Sequence, residues 1–500
     1  MLILVFFIGF FLLARFTRKD TMLERLGFSL PIGLAVVTML MVVIDWMNIG
    51  LTRTSLSIIT IAALIGSLAI NINNYKNISI EVFMPKPRHC WFNLLWLLMF
   101  GVVVYLEYIN FEKCMVYPVY DRDSLAAFDT IGYVCAQEHT FHAMSIFDPT
   151  YFPHMHEAGS SISYLPMIQL SYAYVYTFGA ATSKAIPAFI YLGFLIGFYG
   201  LCARKLTHTG AMLAVLGIVT APEMLSFASL SVTNVMQACM ASTGIIYACL
   251  WVKNHDRSDL CMSIVLLAIN NWMRAEGVVF VLVAWLLIAI SSFVSGNRKM
   301  AIWPAIALCP LVLWMVYSNA CGLTSESAII THPYWDGVKA TTVFNGAWSL
   351  LSAGIYYGWT FHIFVFALVL HIAYLVIKVK VSSPKVNFET PAKNEGFMDF
   401  LVPIAMVLCI VGYYVILYQV DYKWDSIDNV LAYSAKRFNF CFVPIAWYYV
   451  ASATPVNKFF DWMERGIGLG RQYPSKSKSK TEVFCFKLFE KIDKRNTTKD

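Results

Sequence analysis

The stretch GVVFVLVAWLLIAISSFV, residues 277–294, runs eighteen residues without a charge and follows directly on Arg274 and Glu276. Roughly 20 apolar helical residues cross the hydrocarbon of a bilayer. The run therefore reads as a span, with ionisable groups at its mouth. The same pattern recurs along the chain. Of its 500 residues 59% are hydrophobic and 13% charged, and the mean hydropathy is +0.63, far from a soluble globular balance. In hydrocarbon each backbone N–H and C=O must be paired within its own segment, and nothing here shows the dyad alternation of a transmembrane barrel. The fold class is all-α: a polytopic transmembrane helical protein.

Apolar runs place about thirteen transmembrane helices, near 1–14, 27–47, 55–71, 92–110, 186–203, 209–222, 235–253, 259–273, 277–294, 300–319, 352–378, 399–419 and 438–453. The first is followed, not preceded, by Arg15, Arg18 and Lys19 and has no small-residue cleavage site, so it reads as a retained anchor. With the segment after it cytoplasmic, nine Lys/Arg and 16 Asp/Glu fall outside, leaving 28 and 14 inside. This obeys the positive-inside rule. The basic excess of +7 is thus topological and membrane-facing, and gives no reason to expect nucleic acid as a partner. The C-terminus is expected in the cytoplasm.

Three regions follow. Residues 1–91 form a three-helix membrane segment. Residues 92–454 form a transmembrane core with extracytoplasmic loops at 111–185 and 320–351. Residues 455–500 form a basic tail, in which SKSKSK (475–480) precedes VFCFKLFEKI (483–492), a pattern suited to an interfacial helix on an anionic leaflet or to a solvated tail. The segment 162–180, rich in tyrosine, is apolar enough to span, but crossing there would push Arg204 and Lys205 outside. It is placed in the outer interface. The twelve cysteines show no metal-type spacing; Cys114 and Cys135 share the first loop, and free thiols are favoured there over a disulfide. No P-loop, GxSxG or HExxH pattern is present.

The chemistry-bearing residues gather at outer helix ends. PVYDRDSLAAFDTIGYVCAQEH (118–139) carries Asp121, Asp123 and Asp129, and DPTYFPHMHEAG (148–159) adds His154, His156 and Glu157. At 100° per residue the three aspartates cannot converge from one regular helix, so one acts and the others support. Facing them stand Arg274, beside Glu276, and Lys436-Arg437. A carboxylate could take a proton from an acceptor hydroxyl while the cations hold a departing phosphate. His154, His156 and Glu157, with Asp121 and Asp123, suit either a divalent cation (Mn or Mg) or direct contact with a sugar; no cofactor is required by the sequence. Tyr334 and Trp335 in THPYWDGV (331–338) could stack on a sugar face or anchor the interface.

DRDSLAAF (121–128), SYLPMIQLSYAYVYTFGA (163–180), RAEG (274–277) and AKRF (435–438) together resemble the GT-C superfamily of integral-membrane glycosyltransferases, which use polyprenyl-phosphate-linked sugars. The resemblance covers roughly 90–450. It implies transfer of a sugar from a polyprenyl-phosphate donor to a hydroxyl of a glycan, lipid or protein, with inversion, at the periplasmic face of a bacterial inner membrane. Asp123 would be the base, with Asp121 the close alternative. Arg437, Lys436 and Arg274 would bind the donor phosphate, and Asp129, Glu276, His154, His156, Glu157, Tyr334 and Trp335 would contact substrate. The chain departs from the protein mannosyltransferases in lacking their acidic first-loop pair. A transporter or flippase of lipid-linked sugars is the alternative, as is an O-antigen ligase or polymerase; a transporter would be expected to carry its charges near the midplane.

Overall fold

The computed structural model describes residues 1–16, 22–71, 94–147, 164–323, 329–331, 334–381, 399–422 and 426–467. Nearly all of it is helix. In chain order the main elements are α1 (Leu2–Phe16), α2 (Met22–Trp46), α3 (Arg53–Ala69), α4 (Leu94–Val116), α5 (Asp129–Glu138), α6 (Met167–Thr177), α7 (Ala185–Ala203), α8 (His208–Val219), α9 (Pro222–Phe227) and α10 (Asn234–Asn254). They continue with α11 (Arg257–Met273), α12 (Val278–Val294), α13 (Cys309–Ala320), α14 (Gly337–Ser352), α15 (Thr360–Val381), α16 (Leu401–Gln419), α17 (Phe442–Ser452) and α18 (Thr454–Ile467). Eight helical stretches are long and apolar enough to cross a membrane; α1, α3 and α8 are shorter apolar helices. The chain is an all-α polytopic membrane protein.

Lipid tails are as apolar as leucine, so helices in a membrane associate through close packing. Here small residues allow it. A Cβ on Gly27 of α2 would lie 2.3 Å from the Gly193 carbonyl oxygen and 2.4 Å from the Gly197 nitrogen of α7, so the two backbones touch at a Gly-x-x-x-Gly step. Helix α10 is enclosed along its length. Its hydroxyls turn back on their own helix, Ser242 Oγ donating to the Ala238 carbonyl at 2.6 Å and Thr243 Oγ1 to that of Cys239 at 2.7 Å, which satisfies polar groups where no water can.

Ion pairs mark the two ends of the bundle. At one end Arg204, following α7, reaches Asp259 of α11 at 2.7 Å and Glu24 of α2 at 3.7 Å, and Lys253 of α10 meets Asp399 at 2.7 Å. At the other end Asp45 of α2 accepts from the backbone N–H of Phe141 at 2.9 Å and the hydroxyl of Tyr317 at 2.5 Å. Among the described residues, those singled out around Asp123 lie at this second end.

Three expectations change. The apolar run 352–378 is not one helix: Gly358 takes φ +59° and breaks it, and the continuous helix begins at Thr360. The chain also holds a two-stranded antiparallel pair, β1 (Ile329–Thr331) with β2 (Val420–Tyr422), Ile330 opposite Asp421; it ties the second loop to the end of α16. Within 162–180, α6 is eleven residues, about 16 Å long, too short to span, and Tyr172 and Tyr174 are fully buried. Tyr174 shares a hydrogen bond of 3.0 Å with Thr60 of α3. Helix α6 is enclosed by protein, with Tyr174 bonded to α3 and Tyr176 to Asp129. Among the described residues ten cysteines are free thiols, Cys114 and Cys135 included. The tail segment 475–492 lies outside the described residues.

Candidate functional site

The backbone after α4 is held from beneath. Lys184, buried at the start of α7, donates its ammonium to the carbonyls of Tyr117 at 2.6 Å, Lys113 at 3.3 Å and Pro118 at 3.4 Å. A cation there suits the negative end of a helix dipole, and burial pulls its pKa down from the ordinary lysine value. From this fixed point the chain reaches Asp121, whose carboxylate accepts from the backbone N–H of Ser124 at 3.2 Å. One π-helical turn, Ser124–Phe128, then leads into α5, closed by the Asp129 N–H on the Ser124 carbonyl.

The facing segment is built the same way. Ser426 caps a single helical turn by accepting from the Asn429 N–H. A second π-helical turn follows, Leu431–Ala435, closed by the Lys436 N–H on the Leu431 carbonyl. These are the two π turns among the described residues. Such turns are rare and concentrate at functional sites; one begins beside Asp123 and the other ends beside Lys436 and Arg437.

Between them the charges meet. Arg437 Nη1 donates to Asp123 Oδ2 across 314 residues of chain, while its Nε donates to the Tyr433 carbonyl at 3.0 Å and its guanidinium lies 6.0 Å from the centre of the Phe227 ring. Next in sequence, Lys436 pairs with Glu223 of α9 at 2.9 Å and faces the Tyr356 ring at 5.0 Å. The hydroxyl of Tyr357 holds the Lys436 carbonyl at 2.7 Å. Asp123 is 40% exposed and Arg437 20%, so the pair is reachable from solvent.

Arg274 forms the third pair. It leaves α11 in an extended conformation and grips Glu276 with two hydrogen bonds, 3.0 Å from Nε and 2.9 Å from Nη2, leaving Nη1 for Thr233 at 3.2 Å. Burial works against the charge of Arg274, and the Glu276 carboxylate outweighs it, so its pKa stands above the ordinary arginine value. The guanidinium also lies over the Tyr164 ring at 5.6 Å, and Tyr164 packs on Phe128, the last residue of the first π turn, at 5.5 Å. Gly277 closes the junction: a Cβ there would lie 2.6 Å from Asn270 Nδ2, the atom that donates to the Gly277 carbonyl at 3.2 Å.

The three aspartates go three ways. Asp121 caps a turn and Asp123 meets Arg437. Asp129 turns inward to accept from the hydroxyls of Tyr176, at 2.8 Å, and Ser183. Asp129 therefore holds α5 against α6 and α7. Tyr334 and Trp335 are exposed and belong to a different cluster: Trp335 packs on Tyr418 at 5.3 Å, and Lys339 below them pairs with Asp421 at 2.5 Å. His154, His156 and Glu157 lie outside the described residues. A divalent cation needs several oxygen or imidazole ligands converging on one point. Among the described residues no group of three or more His, Cys, Asp or Glu side chains does so, and Asp121 and Asp123 are engaged by a cap and an ion pair. The described residues do not gather as a ligand set.

Sequence reasoning passed over Glu223, Lys184 and Asp45. Asp45 accepts from Thr140 Oγ1 at 3.1 Å, the Phe141 and His142 N–H groups at 2.9 and 3.1 Å, His142 Nδ1 at 2.8 Å and the Tyr317 hydroxyl at 2.5 Å. Its signal was available, since an ionisable residue inside an apolar run marks a functional or anchoring role by default. Glu223 offers a weaker one: an acid just after Pro222 reads as ordinary first-turn helix chemistry.

No family model, no curated protein and no solved structure matches the chain.

Proposed function

We propose that the chain is a membrane glycosyltransferase of the GT-C kind, with about thirteen crossings, that transfers a sugar from a polyprenyl-phosphate donor to a hydroxyl of a glycan, lipid or protein. The observation that carries this reading is the meeting of Asp123 with Arg437, with Lys436 next in the chain and Arg274 linked to the Asp123 segment through Tyr164 and Phe128. On this reading a base and an anion grip stand together at one end of a membrane bundle. Clustering at one end also speaks against a transport path, which would want its charges along the midplane.

In the proposed reaction the acceptor O–H gives its proton to the Asp123 carboxylate as its oxygen bonds to the anomeric carbon. The bond from that carbon to the phosphate oxygen breaks on the opposite face, and its electron pair leaves with the lipid phosphate. Arg437, Lys436 and Arg274 neutralise the charge that develops there. One displacement inverts the anomeric centre. On this reading the site faces the periplasm of a bacterial inner membrane and the C-terminus lies in the cytoplasm.

The test is turnover of labelled polyprenyl-phosphate sugars by the purified protein, the Asp123→Asn variant and the Asp121→Asn variant. Release or transfer of sugar that disappears with Asp123→Asn supports the assignment. Equal turnover in all three proteins refutes Asp123 and Asp121 as base, and passage of intact donor across liposomes without cleavage refutes the enzyme in favour of a transporter.

A further inference from the structure

Each of the three cations assigned to the donor phosphate already has a carboxylate partner: Asp123 on Arg437, Glu223 on Lys436 and Glu276 on Arg274. The Arg274–Glu276 pair is two residues long and doubly bonded, a fixed fork. The other two join distant parts of the chain, 314 and 213 residues apart, through side chains that remain partly open to solvent. The phosphodiester of a lipid-linked sugar competes for such cations, since its two free oxygens match the guanidinium fork as those of a carboxylate do.

We infer that Asp123 and Glu223 are exchangeable counter-ions, displaced from Arg437 and Lys436 by the phosphodiester of the lipid-linked donor, so that donor binding itself frees the base. This rests on the proposed transferase reading. It gives Glu223 a role: it keeps Lys436 neutralised at rest and, once displaced, becomes a free acceptor for a hydroxyl of the bound sugar. It also orders events, since the base is engaged until the leaving group is in place, which protects a reactive donor from misdirected water.

The exchange makes a prediction opposite in sign to that of an ordinary contact. Removing a competing carboxylate tightens the grip on phosphate. A partly exposed pair is worth up to about 1 kcal/mol, which corresponds to about fivefold in affinity. The experiment is calorimetric titration of dodecyl methyl phosphate, a phosphodiester that carries no sugar, into the detergent-solubilised full chain. Asp123→Asn and Glu223→Gln are each expected to bind about fivefold more tightly than the parent, Arg437→Gln at least about fivefold more weakly. Asp123→Ser guards against a folding artefact: it should bind as tightly as Asp123→Asn, while Asp123→Glu stays near the parent. Binding that is equal or weaker in Asp123→Asn and Asp123→Ser overturns the exchange and leaves the transferase reading standing. Absence of binding to every protein, Asp123→Asn included, overturns the phosphate grip on which both depend.

Discussion

Replacing Asp45 by Asn should loosen the second end of the bundle more than any single change at the exposed ion pairs. The carboxylate is 2% exposed and takes five donors, two on Oδ1 and three on Oδ2. An amide offers one oxygen. The better orientation keeps that oxygen toward His142 and Tyr317 and turns the NH2 toward the Phe141 N–H, a buried donor then left facing another donor. An unsatisfied buried donor costs about 1–3 kcal/mol, and three remaining bonds that change from charged to neutral acceptor lose about 0.5–1 kcal/mol each. The total is roughly 2.5–6 kcal/mol, which brackets the range for breaking a buried charged interaction. The assay is denaturant unfolding in detergent micelles for the parent, Asp45→Asn, Tyr317→Phe and the double variant. Because Tyr317 shares an oxygen with His142, the two changes should be non-additive by about 1 kcal/mol or more. A loss below about 1 kcal/mol for Asp45→Asn, or strict additivity with Tyr317→Phe, would refute the claim that this carboxylate ties residues 140–142 to α2 and α13.

Two further outcomes follow from packing. Gly27→Leu should cost about 3 kcal/mol or more, since even its Cβ meets backbone of α7 with nowhere to move, whereas Gly66→Ala, with open space around it, should be neutral or stabilising by up to about 1 kcal/mol; paired thermal melts decide it. Lys184→Met should cost about 1–3 kcal/mol by stripping three carbonyls of their donor. It should also expose the Cys114 thiol, which donates to the Lys184 carbonyl at 2.6 Å, to maleimide; peptide mapping that finds Cys114 as protected as in the parent would count against the anchoring role.

Hydropathy made the helices legible because length and apolarity are local properties. Each run expected to span, from 1–14 to 438–453, has a helix within it, and 277–294 coincides with α12 almost residue for residue. What depends on partners was less legible. The sequence of α6 has the composition of an interfacial segment, and only its contacts with α3 and α5 show that it is buried. The break at Gly358 needed a conformation, not a composition. The π turns are invisible in residue type: SLAAF and LAYSA read as plain helix, and only the hydrogen bonds on either side reveal the extra residue. Among the candidate side chains, the divergence of Asp121, Asp123 and Asp129 followed from helical angles alone. That Asp123 meets Arg437 while Asp129 turns to Tyr176 did not, because loop register decides it. The aromatic pair Tyr334 and Trp335 shows the limit of residue type as a guide, since packing on Tyr418 takes them into another cluster.

The contact between residues 123 and 437 joins the segment before α5 to the turn before α17, 314 residues further along the chain. A nascent chain emerging at the ribosome has laid down most of its membrane segments before the second partner exists, and pairings so far apart form late. Synthesis arrested anywhere before residue 436 would yield an inserted bundle with an unclosed rim. Closure of this rim therefore waits until residue 437 has been made, more than 300 residues after its partner.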